Sequence, residues 1–148
     1  MIMIAPIEVL DTGVKIGLGA IISAVGGYLI ARLTLAKERS ARRREILEMV
    51  AEQVEKIMED DLSALQLGGV PKLEQHEAKF PSIESKLLLL GEKRSLKVLR
   101  DYRKTAGQGW WAVTSEGDNP EARMRLRKEL PVKRELFFDS LSDAYRRF

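Results

Sequence analysis

The sequence predicts an all-α protein in which a single N-terminal transmembrane helix continues into a cytoplasmic bundle of three to four helices. Residues 14–35 read VKIGLGAIISAVGGYLIARLTL. As a helix, this stretch is about 33 Å long, enough to cross a hydrocarbon core of about 30 Å. Apolar residues in the rest of the chain recur with helical spacing, and no segment alternates with the period of a strand for long enough to indicate a sheet.

We interpret residues 14–35 as a retained anchor and not as a signal peptide. Signal peptides begin with basic residues and have a short apolar core. Here the first residues carry Glu8 and Asp11, and the apolar run is longer. Thr34-Leu35-Ala36 resembles a weak cleavage site, but a dense basic segment follows it and is typical of a stop-transfer signal.

Basic residues flank the predicted span mainly on its C-terminal side. Residues 32–44 carry a net charge of +5, whereas only Lys15 and the amino terminus lie on the other side. Because cytoplasmic flanks are enriched in Lys and Arg, we expect residues 36–148 in the cytoplasm and residues 1–13 as a short extracytoplasmic segment of a cell (inner) membrane protein. The same basic residues also suit anionic lipid. They are Arg32, Lys37, Arg39, Arg42, Arg43 and Arg44.

The cytoplasmic part divides at its glycines and prolines. No glycine or proline occurs from Tyr28 to Leu67, so one helix is expected to leave the membrane and end at Gly68. Further helices are predicted near 81–90, 92–105 and 132–147, with another helix start at Asp118–Glu121. Residues 72–80 are ambiguous. We expect a loop at 106–118, a break or kink at Pro131, and a buried leucine run at 87–90.

The residue types give no indication of catalysis. The chain has no cysteine, which excludes disulfides and thiolate metal sites. Its single histidine, His76, has no second imidazole to share a metal ion, and we expect it on the surface. No phosphate-binding glycine loop is present. The sequence therefore predicts no enzyme, no metal and no cofactor.

Two sets of charged residues share the spacing 4-3-4, which places each set on one helix face. The acidic stripe is Glu48, Glu52, Glu55 and Glu59, and the basic stripe is Lys93, Lys97, Arg100 and Lys104. Both are either solvated faces or partners across a helix pair. Anionic lipid is another option for the basic stripe, but nucleic acid is not expected because few aromatic residues are interleaved.

The pair Trp110-Trp111 is the main aromatic feature of the chain. We expect one ring to close the end of the bundle and the other to lie along the surface. The alternative is a tip that contacts a membrane or a protein partner, because tryptophan is enriched at interfaces of both kinds.

Small residues follow one side of the predicted span. Gly19, Ser23 and Gly27 also have the small-xxx-small spacing of close right-handed crossings. Either glycine is simply common in membrane spans, or the span associates with copies of itself. The predicted packing seam, spaced 4-3-4-3-4, is Gly13, Gly17, Ala20, Ala24, Gly27 and Ala31.

These observations favour a membrane-anchored interaction or scaffold protein. Its expected partners are the lipid bilayer, further copies of the chain, and another membrane or cytoplasmic protein. The alternative is a small lysis- or envelope-type protein, similar to a spanin, with its helical part outside the cytoplasm. The location of the C-terminal part separates the two.

Overall fold

The computed structural model describes the backbone of residues 6–115 and 117–147, and the side chains of residues 15, 17–115 and 117–147. The described chain is helical without a strand, which confirms the all-α prediction. The helices are α1 (Pro6–Leu67), α2 (Leu73–Ala78), α3 (Phe80–Leu89), α4 (Lys93–Ser115) and α5 (Pro120–Arg146). Of the expected extracytoplasmic segment, residues 1–5 and the side chains of 6–13 lie outside the described residues.

The chain forms two compact units, residues 1–41 and residues 42–148. The first unit contains the apolar part of α1. An 18-residue window there is long and apolar enough to cross a membrane, and none of it is buried in the described chain. Glycines in this unit have open space around them: a Cβ added at Gly17, Gly19, Gly26 or Gly27 would meet nothing within 4 Å.

The second unit is an antiparallel bundle with four legs. The part of α1 from Arg42 onward is the first leg, α2 and α3 together are the second, and α4 and α5 are the third and fourth. Lys86 donates to Gln53 at 3.0 Å, and Lys79 approaches Asp60 at 3.7 Å, so the second leg runs back along α1. On the other side, Arg134 approaches Glu55 at 3.6 Å.

The core of the bundle contains apolar side chains from every leg. Its largest fully buried members include aromatic rings from α3, α4 and α5. The turns between the legs use glycine where the backbone is left-handed, at Gly68 (φ 76°) and Gly91 (φ 71°), as the sequence predicts for these two helix ends. The core includes Leu47, Val50, Val54, Met58, Leu65, Phe80, Ile83, Leu87, Leu99, Trp110, Leu126 and Phe137.

The two ends of the bundle differ in composition. Each end is formed by segments from distant parts of the chain. We call residues 42–45, 88–97 and 143–147 the near end of the bundle, and residues 63–72, 115 and 117–123 its far end. At the near end, Arg43 donates to the carbonyl of Leu90 at 2.6 Å, and Arg147 to Glu92 at 2.6 Å. At the far end, Arg123 donates to the carbonyls of Gly68 and Gly69.

Three expectations for the bundle are wrong. The loop expected at 106–118 is largely helix, because α4 continues to Ser115. Of the break or kink expected at Pro131, the break does not occur: α5 continues through it, with Leu130 and Phe137 packed in the core on either side. A kink at this position stays a prediction. The leucine run at 87–90 is not wholly buried, since Leu88 and Leu89 are 64% and 88% exposed.

Candidate functional site: a buried Asp61 cluster and the groove beside Trp111

A carboxylate lies in the centre of the bundle. Asp61 of α1 is completely buried, and three side chains from two other helices, α2 and α4, surround its carboxylate. Tyr102 Oη donates to Asp61 Oδ2 at 2.6 Å, and Trp110 Nε1 donates to Oδ1 at 3.1 Å. His76 Nε2 lies 3.0 Å from the same carboxylate. A buried carboxylate needs such donors because its desolvation is otherwise very unfavourable.

The surface location expected for His76 is wrong. The ring is 4% exposed, on α2, and stacks at a tilt against Phe80 with 5.3 Å between ring centroids. Its Nδ1 is buried and has no hydrogen-bond partner in the described residues. We expected His76 on the surface because the chain has no second histidine to share a metal ion. That absence argues against a two-histidine metal site, but it says nothing about whether the ring is exposed.

We call Asp61, His76, Tyr102 and Trp110 the Asp61 cluster. This cluster favours the protonated, neutral form of Tyr102. Burial raises the pKa of this phenol far above its usual value, and the neighbouring Asp61 carboxylate raises it further by charge repulsion and by accepting its hydrogen bond. The cluster therefore fixes α1, α2 and α4 together through one buried acceptor. Because Asp61 and His76 are both buried and their contacts join separate helices, we assign the cluster a structural role.

A buried guanidinium extends this polar core towards the far end. Arg123 of α5 is 7% exposed and donates to Asp118 Oδ1 at 2.5 Å. It also donates to the carbonyls of Gly68 and Gly69, which follow the last turn of α1 and lack helical partners. Its guanidinium lies 6.0 Å from the centroid of the Trp110 ring. Arg123 thus joins α5 to the C-terminal end of α1.

A groove of about 550 Å³ opens on the surface next to this core. Trp111, the neighbour of the buried Trp110, is 65% exposed at its edge. Arg103 bonds Glu77 at 2.9 Å and Glu84 at 3.0 Å, which fixes its guanidinium in place. Three cations face one acid in the lining, so the groove is basic. It is lined by Glu77, Arg100, Arg103, Lys104, Gly107, Gln108 and Trp111.

One tryptophan is buried and the other exposed, and both lie on α4 and not in the expected loop. Trp110 is completely buried and bonds Asp61. Trp111 follows it on the exposed side of α4 and lines the groove.

In the described residues, the acidic and basic stripes do not pair with each other, and some of their members contact other helices. Glu48 accepts a hydrogen bond from Tyr145 Oη at 3.0 Å, and Glu55 lies 3.6 Å from Arg134, both on α5. Arg100 of the basic stripe lies 3.7 Å from Glu84 on α3. Among the described residues, no ion pair joins the two stripes. The other stripe residues, Glu52, Glu59, Lys93, Lys97 and Lys104, are exposed.

The membrane-flanking basic residues and the seam lie along α1. Arg43 is the partly buried member of the flank, through its bond to Leu90, and the other five are exposed. The seam residues from Gly17 to Ala31 are exposed, and Gly13 is described only as helical backbone. The structure contains one chain, so the association of seams stays a prediction.

The Asp61 cluster escaped the sequence analysis although a signal for it exists. Asp61 stands at a core position of the apolar stripe that contains Val54, Ile57, Met58 and Leu65. A charged residue at such a position predicts buried donors on the facing helices. His76 occupies a corresponding position in the second leg, where Phe80, Ile83 and Leu87 are buried and Leu73 is partly buried.

Chemically, the described residues offer binding surfaces. Among their side chains, no group of three or more His, Asp and Glu residues is placed to hold a metal ion. The groove presents positive charge, an indole and a glycine backbone to a ligand. Comparison with protein families, with curated proteins and with solved structures finds no match to this chain.

Proposed function

We propose that the chain is a single-pass membrane protein that holds a helical bundle at the cytoplasmic face of the cell membrane and binds a protein partner there. The observation that carries this proposal is the exposure of the apolar window in α1. Burial of apolar surface contributes about 25 cal/mol per Å², so a bilayer is the environment in which such a helix is stable. The large exposed side chains are Leu18, Ile21, Ile22, Val25, Tyr28, Leu29, Ile30, Leu33 and Leu35.

The proposed orientation is supported by the charge asymmetry around the window. Five basic residues from Lys37 to Arg44 follow it within nine residues, and their side chains are exposed or partly exposed. Basic residues this close to a span are retained on the cytoplasmic side. The bundle, residues 42–148, is therefore proposed to be cytoplasmic.

Protease protection tests this orientation. Protease is added to intact spheroplasts and to permeabilised ones, and the bundle is detected with an antibody. We expect the bundle to be digested only after permeabilisation. Digestion in intact spheroplasts would instead support the lysis- or envelope-type alternative, in which the bundle is outside the cytoplasm. Extraction of the chain by alkaline carbonate would contradict the anchor itself.

The groove beside Trp111 is the proposed docking site, and an acidic segment of the partner is its proposed occupant. This choice rests on charge complementarity: Arg100, Arg103 and Lys104 line the groove, and Glu77 in the lining and Glu84 beside it offset only part of their charge. Exposed tryptophan next to arginine is typical of residues that dominate binding at protein interfaces. The hydrogen bond from Trp110 to Asp61 holds α4 in place, and α4 carries Trp111 of the groove.

Crosslinking in native membranes, followed by mass spectrometry, tests the docking site. We expect Trp111→Ala to lose a crosslinked partner that Met124→Ala retains; the two side chains are similarly exposed, at 65% and 69%. We expect Lys104→Glu to weaken the same crosslink and Lys128→Glu, on α5, to leave it unchanged. Equal crosslinking by Trp111→Ala and the unmodified chain would contradict the site.

A further inference from the structure

The near end of the bundle is strongly basic. Residues 42–45, 88–97 and 143–147 contain eight Lys and Arg against three Asp and Glu. Two of those acids are already paired within the near end: Glu92 with Arg147 at 2.6 Å and Asp143 with Arg94 at 3.0 Å. The described residues of the far end, 63–72, 115 and 117–123, have two basic side chains and two acidic ones. The bundle is therefore polarised along its length.

The most exposed pair of large apolar residues in the bundle stands within this basic end. Leu88 and Leu89 close α3, and their side chains are 64% and 88% exposed. Their position is fixed, because the next residue, Leu90, is buried and its carbonyl accepts the hydrogen bond from Arg43. Lys93 begins α4 directly after the turn at Gly91. Two exposed leucines thus belong to the end of the bundle in which cations outnumber acids.

The chain itself limits how far this end is from the apolar window of α1. Arg43 follows Leu35 by eight positions along the chain, a separation of at most about 28 Å when fully extended. Arg43 contacts Leu90, next to the exposed leucines. If α1 spans a bilayer, this short connection keeps the bundle within reach of its surface, where the effective concentration of lipid is high.

We propose that the near end binds an anionic lipid surface, with Leu88 and Leu89 entering the headgroup region and the surrounding Lys and Arg contacting lipid phosphates. The proposal rests on the proposed membrane anchor and adds to it a second, reversible contact made by the bundle. Basic residues next to exposed leucines are the pattern by which peripheral surfaces bind anionic membranes. An acidic protein would also bind these cations. It would not explain why two leucines are exposed at the same end of the bundle.

The absence of cysteine from the sequence allows a single reporter to be placed at either end. Leu89→Cys is labelled with an environment-sensitive fluorophore at the near end, and Leu67→Cys is the matched control at the far end. The two leucines are 88% and 86% exposed, so neither substitution disturbs the core. The full-length chain is reconstituted into vesicles of phosphatidylcholine alone, or of equal parts of phosphatidylcholine and phosphatidylglycerol, with nitroxide-labelled lipid as the quencher.

We expect the label at position 89 to be quenched more than the label at position 67, and more strongly in the anionic vesicles. Each basic residue near an anionic surface changes the contact equilibrium about fivefold, so Lys93→Gln with Lys97→Gln lowers it about 30-fold. The matched pair Arg125→Gln with Lys128→Gln, on α5, leaves the quenching unchanged.

Flotation of the same vesicles separates this proposal from the anchor. If the chain floats with both vesicle types but the two labels are equally quenched, the lipid contact is overturned and the anchor stands. If quenching at position 89 is the same in both lipid compositions and in the Lys93→Gln/Lys97→Gln variant, the charge-based contact is overturned. If the chain does not float, the anchor fails, and the lipid contact fails with it.

Discussion

Asp61 shows how one side chain holds several helices in register. It is buried, and Tyr102, Trp110 and His76 all contact its carboxylate. We expect Asp61→Ala to lower the free energy of unfolding by about 3–5 kcal/mol, because it leaves these donors buried without an acceptor. Chemical denaturation of the full chain in detergent micelles measures this.

The neighbouring Asp60 provides the matched control for Asp61. Its side chain is 57% exposed and lies 3.7 Å from Lys79. Exposed ion pairs contribute about 0–1 kcal/mol, so Asp60→Ala should change the free energy of unfolding by less than about 1 kcal/mol. A loss of similar size in both variants would contradict the central role of Asp61.

Tyr102 gives the bundle a specific sensitivity to alkali. Its pKa is raised in the folded chain by burial and by Asp61, so above pH 10 the unfolded chain releases a proton that the folded chain keeps. This stabilisation is complete below the ordinary pKa of about 10 and falls by about 1.4 kcal/mol per pH unit above it. We expect Tyr102→Phe to be less stable near pH 7 but to lose less stability between pH 10 and 12, as measured by denaturation at each pH.

Tyr145→Phe is the control for this pH dependence. The pKa of Tyr145 is also raised, by its hydrogen bond to Glu48, but the side chain is 40% exposed and its charged form stays hydrated. Tyr145→Phe should therefore change the pH dependence of the free energy of unfolding above pH 10 less than Tyr102→Phe does. Identical slopes for the Tyr102→Phe variant and the unmodified chain would mean that the phenol ionises freely in the folded state.

The Asp61 cluster also shows why residue identity alone did not predict the interior. Charged and histidine side chains are mostly exposed in proteins, and that tendency led to the wrong expectation for His76. The periodicity of the neighbouring apolar residues is the stronger signal at positions 61 and 76. What it cannot supply is the set of donors, because Tyr102 and Trp110 lie 41 and 49 residues away from Asp61 along the chain.

At the scale of the elements, the two glycines of α4 differ in what surrounds them. A Cβ on Gly109 would meet the buried side chain of Leu126, with its Cγ at 2.6 Å. We expect Gly109→Ala to destabilise the bundle by about 1–3 kcal/mol, because the overlap with α5 outweighs the gain in helix propensity. Thermal unfolding followed by circular dichroism measures the change.

Gly107 is the control for this close approach. A Cβ there would lie 3.1 Å from Glu77 Oε1, the end of a flexible side chain that is able to move. Gly107→Ala should be neutral or stabilise the helix by up to about 1 kcal/mol. If Gly109→Ala were as well tolerated as Gly107→Ala, α4 and α5 would not depend on the small residue for their packing.

The same glycines explain why the length of α4 was not predicted. Glycine lowers helix propensity by about 1 kcal/mol, so two glycines in three residues indicate a loop when only local sequence is considered. In the bundle, Gly109 lets α5 approach, and Trp110 and Val113 on the following turn are buried. Pro131 is a parallel case, since buried residues on both sides of it hold α5 together. Helix ends marked by glycine in the left-handed region, at Gly68 and Gly91, were predictable because their signal is local.

At the scale of the whole molecule, the two units differ in the burial of their large apolar residues. The bundle buries its apolar residues among its own legs, whereas the large apolar residues of the N-terminal window remain exposed. Composition and length alone predicted that window, because a bilayer requires a continuous apolar run and no tertiary contact. The polarity of the bundle was not predictable in the same way, since its near end unites segments from three parts of the chain.

The seam in the window is the feature that would bring two such molecules together. Its residues are small, and a Cβ at Gly17 or Gly27 meets nothing in the described chain, so a neighbouring helix has room to approach. Lipid gives no hydrophobic drive for association, so close backbone packing must supply the attraction. Filling the seam with large side chains should therefore separate the helices while leaving the span apolar.

We expect Ala20→Leu, Ala24→Leu and Gly27→Leu together to abolish association of the span in an in-membrane reporter assay. The single change Gly27→Leu should weaken association, whereas Gly26→Leu should not, because a turn of 100° per residue places Gly26 off the seam. If the triple variant associates as well as the unmodified span, the seam is not an interface. If neither associates, small residues in this window serve only the span itself, and any assembly of the protein must come from the bundle.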